Sequence, residues 1–314
     1  AFVPKTFSQS QALYALQEVK LSQATVSMAW RGERSDVNSQ GSDSAVRFVA
    51  ADRHFAASNL ALGAVLPVTA NISMTLDAAR GARAPKDYEL YADGEHVATK
   101  SYEIGNNNLA VERSKHSELG LRWQGGRADS GRLAVFQTSY DNFIIAAPTG
   151  ANSASGNPIY QYGAVPARLS GWELTANRRA VTWLDVQARV SSVQGDNLAT
   201  AEALPRMAPL RVGVDASHKS IWLGLPVTFK LGFDHSAAQT RVPTNQTPVA
   251  SYTLWNAAVT LEQKMQTHRA LWFARLDNLG DVLAYPATSI LTQTAPGKAP
   301  LPGRSVRLGV QLVF

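Results

Sequence analysis

The chain has 314 residues, a formal net charge of +6, 17% charged against 45% hydrophobic residues, and no cysteine. These numbers exclude a disulfide scaffold and a thiolate metal site, and the Lys and Arg, scattered singly rather than in blocks, leave no footprint for nucleic acid. No run approaches the roughly 18–20 apolar residues of a spanning helix. The opening AFVPKTFSQSQ lacks the basic and apolar regions of a signal peptide, so a mature chain or a piece of a longer one is expected.

Alternation of apolar and polar residues predicts about thirteen strands, near 11–21, 22–34, 55–67, 70–80, 114–124, 130–145, 162–179, 181–194, 207–217, 220–236, 249–263, 266–277 and 303–314. Helical periodicity nowhere exceeds about two turns. The cleanest strands assign faces. Leu119, Leu121 and Trp123 oppose Glu118, Gly120, Arg122 and Gln124. Leu210, Val212 and Val214 oppose Arg211, Gly213 and Asp215. Val227, Phe229, Leu231 and Phe233 oppose Thr228, Lys230, Gly232 and Asp234. In the last strand Val306, Leu308, Val310, Leu312 and Phe314 oppose Ser305, Arg307, Gly309 and Gln311.

The connections alternate in length. Short links (LSQ, PVTAN, GGRAD, AVT, HKS and KMQTH) take turns with long ones at about 35–54, 81–113, 146–161, 195–206, 237–248 and 278–302. An up-and-down membrane barrel has tight turns at one rim and long loops at the other; a Greek-key sandwich has no reason for such alternation. Many strands reach the roughly 9–11 residues that cross a bilayer when tilted. All seven tryptophans fall in predicted strands, as interfacial girdles require. The fold expected is therefore all-β: an antiparallel up-and-down transmembrane barrel wall, apolar positions towards outer-membrane lipid, charged positions towards the lumen, and Phe314 at the periplasmic rim.

Longer segments carry a resemblance. ALWFARLDNLGDVLAYPATS followed by APLPGRSVRLGVQLVF is similar to the last two strands of TonB-dependent outer-membrane receptors, with Asp277, Asn278 and Leu279 as a D-N-L box and Leu301 to Arg304 as L-P-G-R. Upstream, Arg83, Ala84, Pro85, Glu89, Leu90, Tyr91, Gly105, Asn106, Leu109, Glu112 and Ser114 resemble the R-A-P…E-L-Y…G-N-x-x-L…E-x-S pattern of the same receptors, and SGWELTANRR resembles their G-x-E strand. The resemblance covers all 314 residues. It implies a transporter of a scarce metal or metal chelate in a Gram-negative outer membrane. Such receptors have 22-stranded barrels, so residues 1–314 are expected to be the C-terminal portion of one, lacking the plug and the first strands. The missing N-terminal region would supply the contact with the TonB complex.

If the terminal strand ends at the periplasm, His54, His96, His116 and His235 lie on the extracellular side, and His218 and His268 in periplasmic turns. The loop between strands four and five adds Asp87, Glu89, Asp93, Glu95 and Glu103. Imidazole and carboxylate together suit zinc, and YELYADGEHVAT resembles the zinc-uptake branch of the receptors. The expected metal ligands are His96, Glu95, Glu89 and His235, for zinc or a zinc chelate as cargo and not as a resident cofactor. A ferric siderophore and haem are the next choices. Among other classes, a soluble β-sandwich would show two stacked sheets. An enzyme finds no G-x-S-x-G, H-E-x-x-H or phosphate-loop motif, and none is expected.

Overall fold

Period-two alternation becomes hydrogen-bonded register in a computed structural model that describes residues 1–42, 47–126, 129–265 and 268–313. Thirteen strands run antiparallel, each beside its predecessor: β1 (Thr6–Leu21), β2 (Ala24–Gln40), β3 (Ala50–Pro67), β4 (Ile72–Arg83), β7 (Glu112–Gln124), β8 (Ser130–Asn152), β9 (Pro158–Val181), β10 (Leu184–Asn197), β11 (Arg211–Trp222), β12 (Leu225–Ser236), β13 (Tyr252–Lys264), β14 (Arg269–Asp277) and β15 (Ser305–Val313). The link between β4 and β7 holds a short helix, α1 (Asp87–Tyr91), and a hairpin, β5 (Asp93–His96) and β6 (Ser101–Ile104), whose second strand runs parallel to the start of β9. A one-turn helix, α2 (Leu291–Thr294), lies between β14 and β15. No second sheet is stacked on the first among the described residues. The sheet is open: β1 pairs only with β2, and β15 only with β14.

Directly opposed residues on neighbouring strands share a face, so the register sorts the whole wall. One row runs Ala64–Leu76–Leu119–Val135–Trp172 across β3, β4, β7, β8 and β9. Another runs Leu184–His218–Phe229–Val259–Ala274–Leu308 across β10 to β15. Leu76, Leu119, Val135, Phe229 and Leu308 are all exposed. A soluble domain would cover such a continuous apolar surface; a barrel wall presents it to lipid. On the opposite face stand Asp77, Glu118, Arg132, Arg189, Asp215, Lys230, Arg275 and Arg307, and here the long links fold back. The predicted faces of β11, β12 and β15 follow this division, with Val227 buried within its row at 1% exposure. Phe314 lies outside the described residues.

All seven tryptophans are exposed. Trp123, Trp183, Trp222 and Trp272 sit at the short-turn end. Trp172 and Trp255 lie nine residues above the ends of their strands (181 − 172 and 264 − 255). At ~3.3 Å per residue and a tilt of ~40°, nine residues rise about 23 Å, close to the ~25 Å of a barrel's apolar band.

Three expectations need correction. The HKS segment is not a turn. β11 continues to Trp222, and the hairpin turns at Leu223 and Gly224, with φ of +50° and +79°. Two successive positive φ values are what a two-residue primed turn needs to match strand twist. His218 is consequently a strand residue on the apolar face, edge-on to Trp183 with ring centroids 5.1 Å apart. The link at 146–161 is mostly strand, because β8 and β9 stay paired up to Asn152 and Pro158, leaving five residues between them. Pro148 and Gly150 read as loop, yet they are accommodated at a register irregularity between Pro148 and Asn152. Finally, β5 and β6 fall in a segment expected to be irregular; four residues each is too short to register as alternation.

Candidate functional site

The charged face is covered at the long-loop end by three folded links. The first spans 84–111. Leu90, Tyr91 and Leu109 form a hydrophobic core with Val37, Phe55 and Ile144 of the wall, and the Tyr91 hydroxyl donates to the Val37 carbonyl at 2.8 Å. Arg83, at the end of β4, bridges two carboxylates: Nη1 to Glu89 at 2.8 Å and Nη2 to Glu112 at 3.1 Å. Glu89 also accepts the Lys86 N–H at 2.7 Å, closing the start of α1, and Glu112 accepts the Ile144 N–H at 2.8 Å. Gly105 passes so close to α1 that an added Cβ would lie 2.6 Å from the Leu90 carbonyl. The Asn106 N–H donates to the Glu89 carbonyl at 2.8 Å. The R-A-P…E-L-Y…G-N-x-x-L…E-x-S pattern thus builds a clamp that holds the loop to the wall.

A second clamp sits at 278–304. Asn278 is 3% exposed with φ of +50°. Its Nδ2 donates to the Val282 and Pro302 carbonyls at 3.0 and 3.2 Å, and its Oδ1 accepts the Val282 N–H at 2.9 Å. Asp281 accepts the Arg304 N–H at 2.8 Å. The D-N-L and L-P-G-R boxes are the two halves of this clasp. The three links also hold each other: Thr294 donates to the Thr99 carbonyl, and Gln293 exchanges two hydrogen bonds with the backbone of Thr247.

The four expected metal ligands are placed apart. His96 Nδ1 lies 2.7 Å from Glu103, and its ring stacks on Phe2 at 4.1 Å between centroids. Glu103, buried at 4% exposure, also accepts from Thr99, Ser101 and Tyr162. Glu95, the neighbour of His96 on a strand and so on its other face, accepts from Ser153 at 2.5 Å and Asn157 at 2.6 Å. Those two bonds hold its carboxyl below the usual range, Ser153 contributing most. Glu89 is engaged by Arg83. His235 belongs to the apolar-face row of β12, where its Nδ1 meets Thr253 at 2.8 Å. Among the described residues no three His, Asp or Glu side chains gather as a metal site would require. The pair that does meet, His96 and Glu103, was visible in sequence only as two of several charged loop residues.

Lower on the charged face, Arg189 pairs with Asp215 at 2.5 Å and Asp234 at 2.6 Å, and Lys230 reaches Asp215 at 3.4 Å. Asp277 is held by Arg275 and Arg307, each at 2.6 Å. Between Arg189, Arg211, Asp234 and Tyr252 of the wall and Pro286 and Leu301 of the link above lies a cavity of about 770 Å³. It is large enough for a small ligand, and it offers guanidinium and carboxylate groups.

An up-and-down antiparallel wall, apolar on one face and charged on the loop-covered other, defines a segment of β-barrel. The family described as TonB dependent receptor-like, beta-barrel, matches residues 1–279, and the chain belongs to it. Solved structures agree in fold. The copper transporter OprC superposes with a TM-score of 0.81 at 15% identity, over 97% of this chain and 47% of that one. The ferric citrate transporter FecA, unliganded, gives 0.71 at 14% over 98% and 45%. The FrpB iron transporter from Neisseria meningitidis gives 0.68 at 14% over 98% and 46%. The chain thus spans just under half the length of these structures.

Proposed function

We propose that this chain is part of the wall of an outer-membrane transporter that imports a metal, carried as a chelate, with TonB as the energising partner of the whole receptor. The observation that carries the reading is the split between the two faces of one sheet: apolar rows outside, and inside a polar surface with a loop-roofed cavity beside Arg189, Arg211 and Asp234. Copper, iron and ferric citrate are the cargoes of the structurally similar transporters, which supports metal in general. Chelate is preferred over bare zinc on chemical grounds. A bare zinc ion needs three or four converging protein ligands, whereas a chelated metal brings its own and asks the protein for cations and hydrogen-bond donors.

The test is uptake by cells carrying the full-length receptor, comparing a ferric citrate chelate with free zinc under metal limitation. Arg189→Ala with Arg211→Ala should lower binding of an anionic chelate at least tenfold, as expected when charge-assisted hydrogen bonds are lost. Unchanged chelate binding, together with zinc affinity falling in His96→Ala, would reverse the preference. Zinc affinity independent of His96 would remove that residue from any metal site.

A further inference from the structure

The cavity under the 278–304 link is lined by two kinds of charge. At its lower edge the charges are already spent. Arg189 bridges Asp215 and Asp234, and Lys230 also reaches Asp215, so two cations meet two carboxylates. Gly213 makes this possible: the Arg189 guanidinium passes over it so closely that a Cβ would have no room. Arg189 therefore braces the wall, and its charge is balanced before any ligand arrives.

One row nearer the long loops, the register sets Glu173 of β9 opposite Ser191, Ser191 opposite Arg211, Arg211 opposite Ser236, and Ser236 opposite Tyr252. All five line the cavity. Among the described residues neither Glu173 nor Arg211 has an ion pair or a side-chain hydrogen bond, and both are exposed. The cations in the row below Glu173 are engaged elsewhere, Arg132 by Glu118 at 2.8 Å and Arg189 by its two aspartates. Each of β9 to β13 has a neighbour on both sides, so the open edges of the sheet lie away from this row. Two strand spacings of about 4.8 Å put Glu173 and Arg211 about 10 Å apart at the backbone. The cavity thus keeps one free cation and one free carboxylate, at a set separation.

We propose that Arg211 and Glu173 select a zwitterionic chelate, one that carries a carboxylate at one end and a free ammonium about 10 Å away. This rests on the chelate reading above and names the class of chelate. The Arg211 guanidinium takes the carboxylate through paired N–H groups, and the Ser191 and Ser236 hydroxyls on either side can donate to its remaining lone pairs. Glu173 accepts from the ammonium. Pro286 and Leu301 close the cavity from above, and in a site screened from water both charges act more strongly. A purely anionic chelate such as ferric citrate satisfies Arg211 but brings negative charge towards Glu173. The carboxylate is the repulsive element that specificity requires.

The test is calorimetric titration of the full-length receptor in detergent with three ferric complexes. The first is that of Nα,Nα-bis(carboxymethyl)lysine, whose ammonium stands a four-carbon stem away from its carboxylates. The second is the same complex with that ammonium acetylated, and the third is ferric citrate. The unaltered receptor should bind the first at least tenfold more tightly than the second, as expected of one charge-assisted hydrogen bond. Glu173→Gln should bring these two to equal affinity. Arg211→Gln should weaken both at least tenfold, and Arg211→Lys should restore part of the loss. Arg307→Gln, on the same face of β15 but outside the cavity, should keep the preference intact. Equal binding of the free and acetylated complexes by the unaltered receptor, or a preference that survives Glu173→Gln, would overturn the proposal. The two readings fail separately. A receptor that binds none of the three complexes sinks the chelate reading and this one with it, whereas one that binds all three alike sinks only the selection by Glu173.

Discussion

Along β12, Phe229 and Leu231 turn one way and Lys230 and Gly232 the other, each with opposed partners on β11 and β13. In the link at 84–111 alternation is confined to two four-residue strands; what fastens it to the wall is a guanidinium, a tyrosine hydroxyl and a glycine with no room for a Cβ. The wall is therefore specified by a repeating pattern that tolerates substitution within a class, and the links by single contacts that do not. The two regions should fail differently when altered.

The largest effect belongs to the clamp. Arg83→Ala leaves Glu89 and Glu112, with side chains 8% and 11% exposed, facing each other without a cation. Removing one member of a buried ionic cluster costs about 3–5 kcal/mol. The loss should be local, with faster hydrogen exchange across 84–111 and little change in the amides of β12 to β15. Global unfolding with no local step would mean that the link and wall are not separable.

In the wall, position outranks identity. Leu308→Arg puts a charge at an outward position, Leu308 itself being 76% exposed, and should cost about 2–4 kcal/mol at mid-membrane. Gln311→Arg, on the other face of the same strand, should cost far less. Refolding of the full-length receptor into lipid vesicles measures both, and equal costs would contradict the face assignment.

The same contrast explains what the sequence disclosed. Period two gave the number of wall strands and their faces, because one hydrophobic row per strand is a strong signal. It misplaced the β11–β12 turn because Ile221, Trp222 and Leu223 are apolar right up to the bend, and only Gly224 marks it. The pattern around Arg83, Glu89 and Glu112 was legible as a motif but not as a clamp, since the pairing of α1 with β4, β7 and β8 is tertiary. Reading Glu89 as a candidate ligand counted its charge without its partners. The His96–Glu103 pair depends on the β5–β6 hairpin, and its register was invisible in four-residue strands.

A smaller effect is expected at the second clamp. Asn278 combines a left-handed backbone with three hydrogen bonds. Asn278→Ala loses the bonds and strains the backbone, for about 2 kcal/mol. Asn278→Gly keeps the backbone free and should cost less. A reversed order would show that the left-handed φ of residue 278 puts no strain on an alanine there.

The smallest effect depends on pH and touches only the outer hairpin. Glu95 accepts hydrogen bonds from Ser153 and Asn157, in the link between β8 and β9, and these hold its pKa below the ordinary 4.5. A group whose folded pKa is depressed stabilises the folded form fully above its unfolded value and loses that contribution as pH falls through the folded value. The anchoring of β5 to the β8–β9 link should therefore be constant from neutral pH down to about 5, and should weaken progressively below about 4.5. Exposure to solvent keeps the effect small. Amide exchange of residues 93–104, compared between pH 6 and pH 3.5 after correction for intrinsic rates, would show it, and Glu95→Gln should flatten the difference. A pH dependence that persists in Glu95→Gln would show that the Ser153 and Asn157 bonds to Glu95 do not carry it.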